Sequence, residues 1–153
     1  MAWDWIMSID AHWFSTLFGW YVFSGMWVSA MVTSVILALY LKRKGYLPQV
    51  NNSHIQDMGK WVFAISFLWS YLWFSQFMLI WYANIPEETA YFLRRSANGW
   101  LPYFLVLPLL KFVVPFLLLI SRDAKRNPVK LVPVALLILF AQFWELYLMV
   151  GPA

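Results

Sequence analysis

Four apolar runs of about 20 residues or more, separated by short clusters of charge, constrain this chain more than any other feature. Each is long enough to cross roughly 30 Å of hydrocarbon as an α-helix rising about 1.5 Å per residue. The runs cover approximately residues 13–41, 60–83, 101–120 and 131–150. No stretch alternates apolar and polar residues over the length of a barrel strand, so helices are the expected spanning units. A soluble domain carries roughly 25% charged residues, whereas this chain carries 12%. The expected fold is an all-α integral membrane protein, a single four-helix transmembrane bundle over residues 1–153. The first run is read as a retained span. It is too long for a signal peptide, follows Asp4 and Asp10, and has no basic region before it.

The distribution of Lys and Arg sets the expected orientation. Lys42, Arg43, Lys44 and Lys60 flank the first loop, and Arg122, Lys125, Arg126 and Lys130 flank the third. The second loop has only Arg94 and Arg95, offset by Glu87 and Glu88, and the N-terminal arm has neither Lys nor Arg. Eight basic residues against two place loops 1 and 3 in the cytoplasm and both termini outside, in the periplasm of a bacterial inner membrane. The net charge of +4 is thus a topology signal and does not point to nucleic acid. The outer loop is expected to hold a short periplasmic surface helix. Pro86 sits in its first turn with Glu87 and Glu88, and Arg94 and Arg95 close it, as the helix dipole favours. Asn127-Pro128 reads as a cap and first residue of the fourth span.

Several spans carry features that packing alone accounts for. Gly25, Ser29 and Thr33 form a small-residue stripe on the first span, and Ser66 and Ser70 repeat the spacing on the second. Pro108 and Pro115 are expected to kink the third. Trp13, Trp61, Trp81 and Trp100 fall near the expected interfaces, as an aromatic belt would. Trp20, Trp27, Trp69 and Trp73 lie deeper, to fill gaps between helices, face lipid or stack on a quinone ring.

Ionisable groups inside the bilayer are costly, roughly 2.5–3.5 kcal/mol each on insertion scales, which makes them functional candidates. Lys111 falls about 15 Å below the outer end of the third span and Glu145 about 9 Å below that of the fourth. Gln76 lies about 10 Å down the second and Ser24 about 16 Å down the first. All four spans therefore bring a polar group to the outer half of the membrane. The sharp expectation is that Lys111 and Glu145 approach each other and, with Gln76, form a protonatable cluster. The bland one is a static pair that fixes helix register.

Two further groups lie at the mouths of the bundle. His54, Asp57 and Lys60 read either as a cytoplasmic proton entrance or as a solvated helix start. Asp10 with His12 reads either as an outer proton relay or as a plain cap. With no cysteine, the chain holds no disulfide, thiolate metal site, iron–sulfur cluster or thioether-linked haem of its own. Its two histidines fall on opposite sides of the membrane in this topology, so they are not expected to ligate one haem. No phosphate loop, nucleophile elbow or HExxH motif is present, so neither a catalytic residue nor a metal ligand is assigned.

Two stretches carry a family resemblance: SIDAHWFSTLFGWYVFSG, residues 8–25, and HIQDMGKWVFAISFLWSYLWFSQFMLIWYANIPEETAYF, residues 54–92. They resemble the C-terminal half of the ActF-type membrane subunits of bacterial alternative complex III, within the NrfD/PsrC-like family of quinone-interacting subunits. The FSQFMLIWYANIPEE core carries the likeness most strongly, and spans 3 and 4 carry it weakly. The resemblance implies the second of two four-helix bundles, in a subunit more than twice this length. It implies a complex that oxidises menaquinol or ubiquinol and passes electrons to cytochrome c or a terminal oxidase. The implied partners are a second NrfD-like subunit (ActC), an iron–sulfur subunit, multihaem cytochromes c and membrane lipids. Family members are expected to bind quinol toward the periplasm and to offer half-channels for protons, with no redox centre in this chain. A purely structural assembly subunit and a small transporter are the rival expectations. The absence of an internal inverted repeat argues mildly against the transporter.

Overall fold

The computed structural model describes residues 2–97 and 99–151. An N-terminal arm of one π turn (Ala2–Ile6) and one 3-10 turn (Met7–Ile9) leads into α1 (Thr16–Arg43). Then follow α2 (Asn52–Ala83), α3 (Pro86–Ser96), α4 (Leu101–Leu119), α5 (Arg122–Arg126) and α6 (Pro128–Val150). The four long helices α1, α2, α4 and α6 are each long and apolar enough to cross a membrane, and no strand occurs among the described residues. The chain is a multi-pass helical membrane protein.

The bundle runs up-down-up-down. α1 packs on α2 and α6, and α4 packs on the same two, so the four helices close into a ring. Its interior is filled by Val28, Val32 and Val35 of α1, Ile55, Val62 and Trp69 of α2, Leu107 and Leu119 of α4, and Leu131, Ile138 and Leu148 of α6. Outside, Trp20, Phe67, Leu117 and Phe143 are exposed, an apolar surface that suits lipid and not water. The interior seam of α1 does not follow the small-residue stripe. Gly25 is buried, but Thr33 is exposed and Val32 and Val35 take the contact instead. The helix period of 3.6 carries a strict four-residue spacing around the cylinder, so the stripe drifts off the seam.

The helix ends explain where the spans depart from expectation. α2 starts at Asn52, well before the apolar run, because Asn51 accepts from the backbone N–H of Ser53 and His54 while His54 Nδ1 accepts from Asn51 N–H. α2 ends at Ala83 and is closed by Asn84, whose φ of 50° takes the left-handed cap position. α3 has Pro86 at its first position and the expected acid-to-base order. α6 is capped by Asn127, which accepts from Val129 N–H at 3.0 Å. The short α5 was absent from the sequence expectation. Ser121 caps it by accepting from Ala124 N–H, a local signal at the end of an apolar run. Trp13 lies outside α1 and is buried, not in an aromatic belt. Its indole stacks on Tyr91 with centroids 4.1 Å apart and donates to Glu88 O at 3.0 Å. The arm and α3 therefore close over one end of the bundle, and the basic loops occupy the other.

A buried ion pair as candidate functional site

Lys111 sits in a π turn, Leu109–Val113, set between Pro108 and Pro115. Pro115 has no N–H to offer the Lys111 carbonyl, and the winding widens there, with Val114 N–H bonding Leu109 O. The expected proline kink thus takes the form of a wide turn. From it the Lys111 side chain enters the bundle and is fully buried, as is Glu145 on α6.

Lys111 Nζ pairs with Glu145 Oε2 and donates to Gln142 Oε1 at 2.6 Å. The other carboxylate oxygen, Oε1, accepts from Trp69 Nε1 on α2 at 2.9 Å. The ammonium also lies 4.2 Å from the centroid of the Trp69 ring, where the negative ring face attracts it. Both carboxylate oxygens and the ammonium are thereby engaged, which is the condition for a buried ion pair to survive its desolvation cost. α1 contributes space. A Cβ on Gly25 would stand 3.0 Å from Gln142 Oε1 and 3.4 Å from Glu145 Oε2. Gly25→Ala is expected to be accommodated by a small shift of the Gln142 amide. Gly25→Val should destabilise by about 1–3 kcal/mol, measured by unfolding in detergent.

Gln142 and Trp69 were missed as site residues in the sequence. Gln142 was legible, being polar inside an apolar run and three residues before Glu145 on the same face. Trp69 was read only as one of four deep rings that fill gaps, face lipid or stack on a quinone, and nothing in its position marks it as a donor to Glu145.

The other predicted residues lie apart from this pair. Gln76 is buried but exchanges hydrogen bonds with Ser15, at 2.9 and 3.0 Å. Ser24 is buried and donates to the carbonyl of Tyr21 in its own helix at 2.7 Å. Between Gln76 and Tyr21 is a void of about 20 Å³, the size of roughly one water, and Tyr21 in turn neighbours Glu145. Asp10 does not pair with His12. Arg94 reaches it with both terminal nitrogens, at 2.9 and 3.1 Å, and His12 is exposed. His54 serves the α2 cap, and Asp57 pairs with Lys60 at 2.9 Å on the exposed side of the first turns.

A second buried cation was likewise missed. Arg95 on α3 donates to Leu148 O at 3.2 Å and Met149 O at 2.7 Å, carbonyls of the last turn of α6. It also donates to Tyr91 O at 3.1 Å and stacks 3.5 Å from the Tyr91 ring. Burial holds the Arg95 guanidinium below its ordinary pKa and pushes the Tyr91 phenol up to about 12. Beside this lid, a cleft of about 300 Å³ opens between α2, α3 and α4, at Phe77, Trp81 and Phe104. A wider groove of about 640 Å³ is lined by Trp100, Tyr103, Phe140, Phe143, Trp144 and Tyr147 on α4 and α6.

Fold and site together define a multi-pass helical membrane protein with an ion pair sealed inside its bundle. No protein-family model matches the chain, and no curated protein matches it.

Proposed function

We propose that this chain is a membrane subunit of a quinol:electron-acceptor oxidoreductase in a bacterial cytoplasmic membrane, of the alternative complex III type. In this reading the termini and α3 face the periplasm, as the eight-to-two division of basic residues favours. The chain supplies no redox centre; electrons pass through iron–sulfur and multihaem partner subunits. The observation that carries the proposal is the Lys111–Glu145 pair. Two ionisable groups inside hydrocarbon are costly to keep, and such groups mark proton relays and ligand sites.

The route runs outward from Glu145 past Tyr21, through the one-water void, to Gln76 and Ser15. Transfer of a proton from Lys111 to Glu145 neutralises both groups at once, so no lone charge is left in the dry interior. The aromatic groove on α4 and α6 offers flat rings to a quinol head arriving from the lipid side.

The test is Glu145→Gln in the assembled complex, with quinol turnover and proton release as readouts. The amide keeps the shape and a hydrogen bond but removes the titration. A fall of about 100-fold or more in quinol turnover is expected, with the rate of proton release falling in step. Unchanged turnover and proton release, with normal assembly, would contradict the proposal and favour a purely structural subunit. The second reading draws on one observation: every charged atom of the pair already has a partner, as a register-fixing element requires.

A further inference from the structure

At the basic end of the bundle, α5 lies across the first turns of α2. Gly59 makes the close approach possible, since a Cβ there would stand 3.1 Å from Lys125 Cβ. One turn earlier on α2 the buried Gln56 side chain presents its Oε1 to two guanidiniums. Arg126 donates to it through Nε at 2.5 Å and Arg122 through Nε at 3.5 Å. Two like charges thus converge on one neutral amide oxygen, which carries no net charge to offset their repulsion.

Among the described residues, neither arginine has a carboxylate within ion-pair distance. Asp57 is taken by Lys60, and the remaining pairs are Arg94–Asp10 and Lys111–Glu145. Asp123, on the same short helix, reaches neither. Each arginine uses only its Nε, so the terminal nitrogens of both forks have no hydrogen-bond partner among the described residues. Lys125 is not part of the arrangement, because it lies over the Phe63 ring at 4.4 Å and donates to Ile120 O at 3.3 Å.

We propose that Arg122 and Arg126, set side by side by Gln56, form a binding site for a phosphate group, supplied by the head of an anionic membrane phospholipid. The planar guanidinium fork matches phosphate oxygens two at a time. Two forks fixed at one acceptor lose little freedom on binding. The lipid source follows from position. The site is at the end of the spans, and Leu118, Ile120 and Val129 beside it are exposed apolar surface on which acyl chains can lie.

The experiment is native mass spectrometry of the full chain in detergent, titrated separately with phosphatidylglycerol, phosphatidylcholine and inorganic phosphate. Phosphatidylglycerol is expected to bind at least about tenfold more tightly than phosphatidylcholine. The double variant Arg122→Gln/Arg126→Gln should lose that preference, by about tenfold or more. Arg43→Gln/Lys44→Gln removes the same charge from the same end outside the site and should change it less than about twofold. Gln56→Leu, which keeps both charges but frees the forks, should weaken binding several-fold and serves if the double variant does not fold. Inorganic phosphate bound through the same arginines without lipid selectivity would uphold the anion site and overturn the lipid source. Equal loss in the two double variants, or no difference between the two lipids and no phosphate binding, would overturn the proposal.

Discussion

Lys111→Met is expected to destabilise the bundle by about 3–5 kcal/mol, the usual cost of removing one member of a buried ion pair. Methionine fills nearly the volume of the lysine stem, so the loss is not a cavity effect. It arises at Glu145, whose Oε2 loses the ammonium while Oε1 keeps the Trp69 indole. Gln142 Oε1 loses its donor as well. Reversible unfolding in detergent, followed by helical circular dichroism and Trp fluorescence, measures the effect. A loss below about 1 kcal/mol would mean that the carboxylate finds other solvation and that the pair is not a structural centre.

Arg95→Met is the second large effect, expected at about 2–3 kcal/mol, with most of it local to the lid. The methionine side chain can still cover Tyr91, but Leu148 O and Met149 O lose their donors at the end of α6. A buried carbonyl without a partner retains its desolvation penalty. The docking of α3 depends on this residue together with the Arg94–Asp10 pair and the Trp13 contact to Glu88. Hydrogen exchange should therefore accelerate across Pro86–Ser96 while the middle of the four spans stays protected. Uniform acceleration through α6 and α2 would instead assign Arg95 to the global core.

The spans were legible because length and apolarity are sufficient to define them, and because a charge within such a run is conspicuous. Lys111 and Glu145 were visible on that ground, and the depth arithmetic set them about 6 Å apart in height, a gap that the long lysine stem spans. Gln76 had the right depth, but depth does not specify azimuth, and the N-terminal arm returns Ser15 to it. Arg95 was hidden because the acidic start and basic end of α3 serve a solvated helix equally well. Only the approach of the α6 terminus turns that arginine inward. Trp13 was misplaced for a related reason. A tryptophan near an interface suits a lipid belt by composition, whereas the fold of α3 over it depends on residues more than seventy positions away. At the opposite end, the basic residues of α5 satisfied the topology rule, and nothing in their spacing revealed the shared contact with Gln56.

The central claim is that the ammonium of α4 and the carboxylate of α6 stabilise each other inside the bundle. A double-mutant cycle on Lys111→Met and Glu145→Gln, measured by unfolding of the full chain in detergent, tests it most directly. A coupling of about 2–3 kcal/mol is predicted, with the double variant more stable than Lys111→Met alone. Additive losses, with coupling near zero, would contradict the account.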